Sequence, residues 1–415
     1  MNFKNILIIN YAFPPYPGTG GRRWSKFAKY LAQRGHNVFV IGSKNTSKKY
    51  SGWITSEELK NLNVKYITSY YPQTENRLSS KIYHFLYSFP IKVFSVRNFL
   101  DRSFYWGKIV KRYTDTLLKK NDIRNIVLTV PPFGYVEDAI ELKKKYPHVN
   151  FILDIRDDIR YYLKGLEEKR MQREYNKHRE FLSSFDFIIT VSDHMTKNYK
   201  ELVPFENKKN VYTIHNGYDP DDFITQLLPA DIKKKEKIKF VYAGNLIEEC
   251  FPYVKAFFSA LLFLKNEKID IYKKIEVVIF GNKEQNAFSF CKENGIDCVN
   301  FFGYSPKEIV INHLYTADFC LIFPADFYSD YSLETKFFEY CFLRKPIIVY
   351  PETGLCSEIV KKNNIGFAIS PNNSHQEITR IIERYLNNEF EYNNKFDISE
   401  YNISNLTRKL EKLLK

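Results

Sequence analysis

Tyr331-Ser-Leu-Glu-Thr-Lys-Phe-Phe-Glu-Tyr-Cys-Phe-Leu-Arg-Lys-Pro-Ile-Ile-Val-Tyr350 runs an ionisable cluster into a helix and then into a buried strand. Phe337, Phe338, Cys341 and Phe342 recur at helical spacing and predict one buried face, leaving Glu334, Lys336 and Glu339 to point elsewhere. Pro346 stops the helix, and Ile347-Ile-Val-Tyr350 reads as the next strand. A loop-to-helix junction offers unpaired backbone N–H groups and a positive dipole end, which suit a phosphate. A carboxylate one turn further in can accept hydrogen bonds from vicinal hydroxyls such as those of a ribose. The same spacing also fits the solvated face of an ordinary amphipathic helix.

Outward from this stretch the chain alternates strands and helices. Ile6-Leu-Ile-Ile9 reads as a buried parallel strand, and a Pro/Gly-rich loop, Tyr11-Ala-Phe-Pro-Pro-Tyr-Pro-Gly-Thr-Gly-Gly21, follows it. Trp24, Phe27, Ala28, Leu31 and Ala32 then predict a helix closed by Gly35, with a second strand from Val38. The glycines do not form Gly-x-Gly-x-x-Gly, so a dinucleotide fingerprint is not supported, but Gly20 and Gly21 let backbone approach a ligand. Asn125–Pro132 and Asn150–Asp158 add two strands whose carboxyl ends would carry a ligand site, which places Asp154, Arg156, Asp157 and Asp158 there. Phe187–Ser192 and Val211–Asp219 complete the first half. After a charged run at Asp231–Ile238, strands restart at Phe240-Val-Tyr-Ala-Gly-Asn245 and continue at Glu276–Gly281, Val299–Gly303, Phe319–Pro324 and Pro346–Tyr350. Repeated units of this length predict a second doubly wound domain.

The chain has 415 residues, which favours two domains of about 200 residues each. A hydrophobic content of 44% supports packed cores over most of the length. No apolar run approaches the roughly 20 residues that span a bilayer, and the first residues do not read as a signal peptide, so a cytoplasmic protein is expected. The six cysteines lack Cys-x-x-Cys pairs and read as small core residues. Asp219-Pro-Asp-Asp222 is explained by turn initiation and helix capping without a metal. The formal charge of +14 calls for an anionic partner. Basic and aromatic residues interleaved between Asn76 and Tyr113 fit either helices packed on the sheet or a peripheral contact with anionic lipid, more than a nucleic-acid surface.

The run Glu339-Tyr-Cys-Phe-Leu-Arg-Lys-Pro-Ile resembles the nucleotide-sugar motif of the retaining glycosyltransferases of family 4. Pro14, Pro15, Gly20, Gly21 and Leu31-Ala-Gln-Arg-Gly-His-Asn-Val38 resemble the opening of the same family. The resemblance implies an α/β, GT-B fold, with two Rossmann-like doubly wound domains facing an interdomain cleft. The expected boundaries are 1–220 for the acceptor domain, 221–395 for the donor domain, and 396–415 for a helix crossing back to the first. It further implies sugar transfer from a nucleotide-diphosphate donor to a polysaccharide or lipid-linked acceptor, with retention, no obligatory metal or other cofactor, and no nucleic acid.

By the same resemblance Gly20, Gly21, Gly244, Asn245, Tyr304, Lys336 and Glu339 are the expected donor-binding residues, and Arg156 and Asp157 the catalytic ones. The chain departs from the family at four places: Tyr331 stands where the first glutamate of the motif is expected, Arg156-Asp157 stands where many relatives carry a His-Asp pair, and Asn245 and Cys250 stand where arginine and lysine grip the diphosphate. Lys336, Arg22 and Arg23 are the available replacements. Two rival readings share the fold: a nucleotide-sugar epimerase or hydrolase, and a non-catalytic membrane-associated adaptor.

Overall fold

The computed structural model describes residues 3–16, 19–44, 54–69, 71, 85–87, 89, 101–158, 168–224, 237–282, 284–325 and 333–415. The chain divides into two compact units, Met1–His215 with Ile403–Lys415, and Asn216–Asn402. The division falls a few residues from the expected boundaries, because 216–220 and 396–402 pack with the second unit.

The first unit is built on β1 (Asn5–Asn10), β2 (Asn37–Lys44), β3 (Asn63–Thr68), β4 (Ile123–Val130), β5 (Asn150–Ile155), β6 (Phe187–Thr190) and β7 (Val211–Thr213). Their order in the sheet is β3-β2-β1-β4-β5-β6-β7, and every pairing is parallel. Ile6, Leu7, Ile8 and Ile9 are all buried, as are the six residues of β5, which is the pattern of strands covered on both faces. The helix Arg22–Gln33 lays Trp24, Phe27, Ala28 and Leu31 against this sheet.

Into the same core comes the last helix, Ile403–Glu411, with Ile403, Leu406, Leu410, Leu413 and Leu414 packing beside Trp24 and Phe27. The Asn150 side-chain amide donates to the Leu413 carbonyl at 2.8 Å, and the Lys415 N–H donates to Asn125 Oδ1 at 2.8 Å. Glu411 meets Arg34 Nε at 2.7 Å and His36 Nε2 at 2.8 Å. Partial burial pushes the Glu411 carboxyl up, but hydrogen bonds and charge from Arg34 and His36 outweigh it and hold it below its ordinary value.

The second unit carries β8 (Ile238–Ala243), β9 (Ile275–Phe280), β10 (Val299–Gly303), β11 (Phe319–Ile322), β12 (Ile347–Val349) and β13 (Gly366–Ala368). Its order is β10-β9-β8-β11-β12-β13, again all parallel. Phe257, Phe258, Phe319, Phe323 and Tyr350 build a strongly aromatic core. All six cysteines are free and five are buried, so they serve this unit as small apolar residues.

The segment Asn76–Tyr113 lies partly outside the described residues, at 76–84, 88 and 90–100. Of the remainder, Phe104 and Trp106 are core residues of the helix Phe104–Lys120, and Trp106 Nε1 donates to the Ile67 carbonyl at 3.2 Å. Phe85 and Leu86 instead stand 61% and 62% exposed. Among the described residues no helix is long and apolar enough to cross a membrane.

Leu406 is fully buried, so Leu406→Ala is expected to cost about 2–5 kcal/mol in denaturant unfolding. Glu411→Gln should cost about 1–2 kcal/mol at pH 7. Because the folded carboxyl lies below the unfolded value of about 4.3, that difference should be present above pH 5 and shrink as the pH falls through the folded value. A Glu411→Gln penalty that grows on acidification would contradict the assignment.

Candidate functional site

In the second unit β8 is flanked by β9 on one side and β11 on the other, so successive connections leave in opposite directions at its carboxyl end. That is where an open parallel sheet leaves a crevice for a ligand. Gly244 is the first residue beyond β8. A Cβ on it would lie 2.7 Å from Lys336 Nζ and 2.9 Å from Lys336 Cε, so only glycine lets the lysine occupy this place.

Lys336 belongs to the helix Thr335–Phe342, which lies between β11 and β12 in the chain. Its side chain is 11% exposed. Nζ lies 4.0 Å from the centre of the Tyr242 ring and donates to Tyr242 Oη at 2.8 Å. Tyr242 Oη donates in turn to the Asn245 carbonyl at 3.1 Å. The Glu334 carboxylate, at the start of the helix, pairs with Nζ at 2.8 Å. Burial by itself would push the Lys336 ammonium down, but Glu334 and Tyr242 outweigh it and hold it above its ordinary value. Burial likewise pushes the Tyr242 hydroxyl up, so the ring beneath the ammonium is neutral at physiological pH.

The helix is tied to β8 by a second contact, the Ala243 N–H donating to Tyr340 Oη at 2.9 Å. Glu339 precedes that tyrosine and is only 3% exposed. Asn245 joins two loops, since its Oδ1 accepts from the Asn282 N–H after β9 at 3.1 Å. Cys250 is buried, and burial pushes its thiol up to about 11, so it brings no charge to the crevice. Gly244, Asn245 and Lys336 thus come together, with Glu339 one turn further along the helix. Tyr304 lies apart from them, 67% exposed beyond β10, two strands or roughly 10 Å across the sheet from β8.

In the first unit the equivalent switch lies between β1 and β4. Arg156, just beyond β5, donates its backbone N–H to the Val130 carbonyl at 3.0 Å and its guanidinium to the Pro131 carbonyl. A Cβ on Gly20 would lie 2.1 Å from the same guanidinium, so the loops after β1, β4 and β5 meet around one arginine. Arg156 Nε is buried without a hydrogen-bond partner among the described residues. Gly21 packs on the Ala12 carbonyl, and Asp157 is half-buried beside Arg156.

Arg23, one of the cations suggested by the sequence for a diphosphate, is committed elsewhere. Its guanidinium pairs with Asp154 at 3.0 Å and donates to the Ile214 and His215 carbonyls, both at 2.7 Å. Asp154 is fully buried and also accepts from Trp24 Nε1 at 2.6 Å and Thr129 Oγ1 at 3.1 Å. Both groups therefore hold the sheet together, and Asp154 is not available to a substrate. Tyr242, Glu334 and Tyr340 are the neighbours that sequence reasoning did not assign. Only the period of two along β8, which puts Tyr242 on one face with Phe240, could have pointed to the first.

Residues 225–404 match the family described as glycosyl transferases group 1. Among curated proteins no match is found. The solved structures to which the chain is similar include a sucrose-phosphate synthase from Thermosynechococcus elongatus, at 13% identity over 99% of this chain and 95% of that one, with a TM-score of 0.63. A glycosyltransferase from Rickettsia africae gives 16% identity, 100% and 98% coverage and a TM-score of 0.63. WaaG, a glycosyltransferase involved in lipopolysaccharide biosynthesis, gives 13% identity, 99% coverage of both chains and a TM-score of 0.60.

The Lys336 environment makes a spectroscopic prediction. With lysine Cε labelled for NMR, one resonance should titrate above the ordinary lysine value of about 10.4, and Glu334→Gln should lower it, because burial then loses its main opponent. A Lys336 that titrates below the exposed lysines in the unmodified protein would contradict this site.

Proposed function

We propose that this chain, whose residues 225–404 match group 1 glycosyl transferases and whose fold is GT-B, moves a sugar from a nucleotide-diphosphate donor to a polysaccharide or lipid-linked saccharide, with retention at the anomeric carbon. The observation that carries the reading is a charged lysine at the carboxyl end of β8, beside a helix start and against a glycine that leaves it room. A diphosphate leaving group needs its growing negative charge met by preorganised donors. Lys336 and the N–H groups at the start of its helix supply them without a metal ion, in place of the arginine and lysine that Asn245 and Cys250 replace.

In this reading Gly244 and Asn245 bring backbone up to the phosphates. Glu339 accepts from the ribose hydroxyls, and Tyr304 offers a ring face to the base. Arg156 and Asp157 act near the reacting sugar: the arginine, held by the Pro131 carbonyl and with one buried N–H that meets no partner among the described residues, stabilises negative charge, and the carboxylate orients a hydroxyl. Glu334 must release Lys336 when the diphosphate arrives, because one ammonium cannot satisfy both anions fully. The net charge of +14 and the exposed Phe85, Leu86 and Phe89 support attachment to the anionic inner face of a membrane, where a lipid-linked acceptor would be met.

The test begins with a calorimetric screen of UDP-, GDP- and dTDP-sugars, followed by kinetics with the donor that binds. Lys336→Met should lower kcat/KM by about 100- to 1,000-fold, and Lys336→Arg should recover part of it. Glu339→Gln should raise donor KM about tenfold with little change in the melting temperature. Unchanged donor kinetics in both variants would overturn the reading. An inverted anomeric configuration in the product, seen by NMR, would overturn retention alone.

A further inference from the structure

Beyond β1 in the first unit lies a cation that neither the fold nor the site above employs. Arg102 places its guanidinium carbon 5.3 Å from the centre of the Tyr11 ring and 5.7 Å from that of Tyr16, and the two rings meet edge to face at 5.6 Å. The guanidinium donates to Tyr16 Oη at 3.4 Å. Tyr11 is fully buried, and its hydroxyl, hydrogen-bonded to Ser69 at 2.7 Å, is pushed up to about 12, chiefly by burial. The guanidinium therefore lies against a neutral ring.

The backbone that carries Arg102 is pinned. Asp101 uses one carboxylate oxygen to accept from the backbone N–H groups of Phe133 and Gly134, and the other to accept from the Ser103 N–H and hydroxyl. The Tyr87 hydroxyl donates to the Arg102 carbonyl at 3.2 Å. Asp101 directs its oxygens to the Phe133, Gly134 and Ser103 groups, and among the described residues no carboxylate forms an ion pair with Arg102. A planar cation fixed on aromatic faces keeps its outward N–H groups in a fork that matches an oxyanion. Arg102, Tyr16 and Tyr105 are half-buried, so the group is reached from solvent.

We propose that Arg102, with Tyr11 and Tyr16 behind it, binds an anionic group carried by the acceptor saccharide, so that the preferred acceptor is an acidic sugar rather than a neutral one. The inference rests on the glycosyltransferase reading. It adds the class of acceptor, a saccharide bearing a phosphate or a carboxylate. Arg102 is a binding residue; it takes no part in breaking the donor bond.

Ligand-observed NMR titrations of the full chain at constant salt test it, with glucose 1-phosphate, methyl glucuronide and methyl glucoside as probes. At least one anionic probe should bind tenfold or more tightly than methyl glucoside. Whichever anion binds more tightly identifies phosphate or carboxylate as the acceptor's charge. Arg102→Ala should abolish that preference, and Arg102→Lys should restore only part of it. Since glucose 1-phosphate could also meet Lys336, the preference must survive Lys336→Met. Equal binding of all three probes, or an anion preference lost with Lys336→Met but not with Arg102→Ala, would overturn the proposal. UDP, GDP and dTDP titrated in parallel separate the two readings. If one of them binds while Arg102→Ala changes nothing, only the Arg102 assignment falls; if none binds, the donor reading falls first.

Discussion

A single ammonium group held inside the second unit is the constraint from which the proposed donor site follows. Removing a lysine from water costs several kcal/mol unless its charge is met, and here Glu334 at 2.8 Å and the Tyr242 face and hydroxyl meet it. Three sequence choices depend on that one group. Gly244 must lack a Cβ, Tyr242 must present a hydroxyl, and the helix must start within reach of the end of β8. Tyr340, donated to by the Ala243 N–H, fixes the last of these. The arrangement therefore holds a charged lysine at the end of β8, with its ammonium met by a carboxylate of the protein.

The first unit uses its own cations differently. Arg23 is buried against Asp154 and two carbonyls, and losing either partner of that ion pair would leave an uncompensated charge in the sheet. Arg156 ties three loops together at the β1/β4 switch, while Arg102 is held by rings instead of carboxylates. Three arginines near the carboxyl edge of one sheet thus have distinct duties, which counting positive charges could not distinguish.

Much of this was legible in the chain. Buried parallel strands announce themselves as continuous apolar runs, and β1, β4, β5, β8, β9, β11 and β12 lie where such runs fall. The strands that the sequence did not reveal, β3 and β13, are at sheet edges. Asn63-Val-Lys-Tyr-Ile-Thr68 and Gly366-Phe-Ala368 are only partly covered, so neither accumulates enough apolar residues to stand out. The meeting of Gly244 and Lys336 falls on residues that local motifs had singled out. The rest was hidden where residues distant in the chain meet: Tyr242 reaches Lys336 across 94 residues and Arg23 reaches Asp154 across 131. Spacing along a chain predicts a helix face, but not which side chain from another strand will lie against it.

The most direct test of the account is hydrogen exchange followed by mass spectrometry, with and without saturating UDP, GDP or dTDP. With the nucleotide that binds, exchange should slow in the segment around Gly244 and Asn245 and in the first turn of the helix that carries Lys336. Unchanged exchange in both segments, or protection confined to the first unit, would contradict the claim that this buried lysine marks where the diphosphate is held.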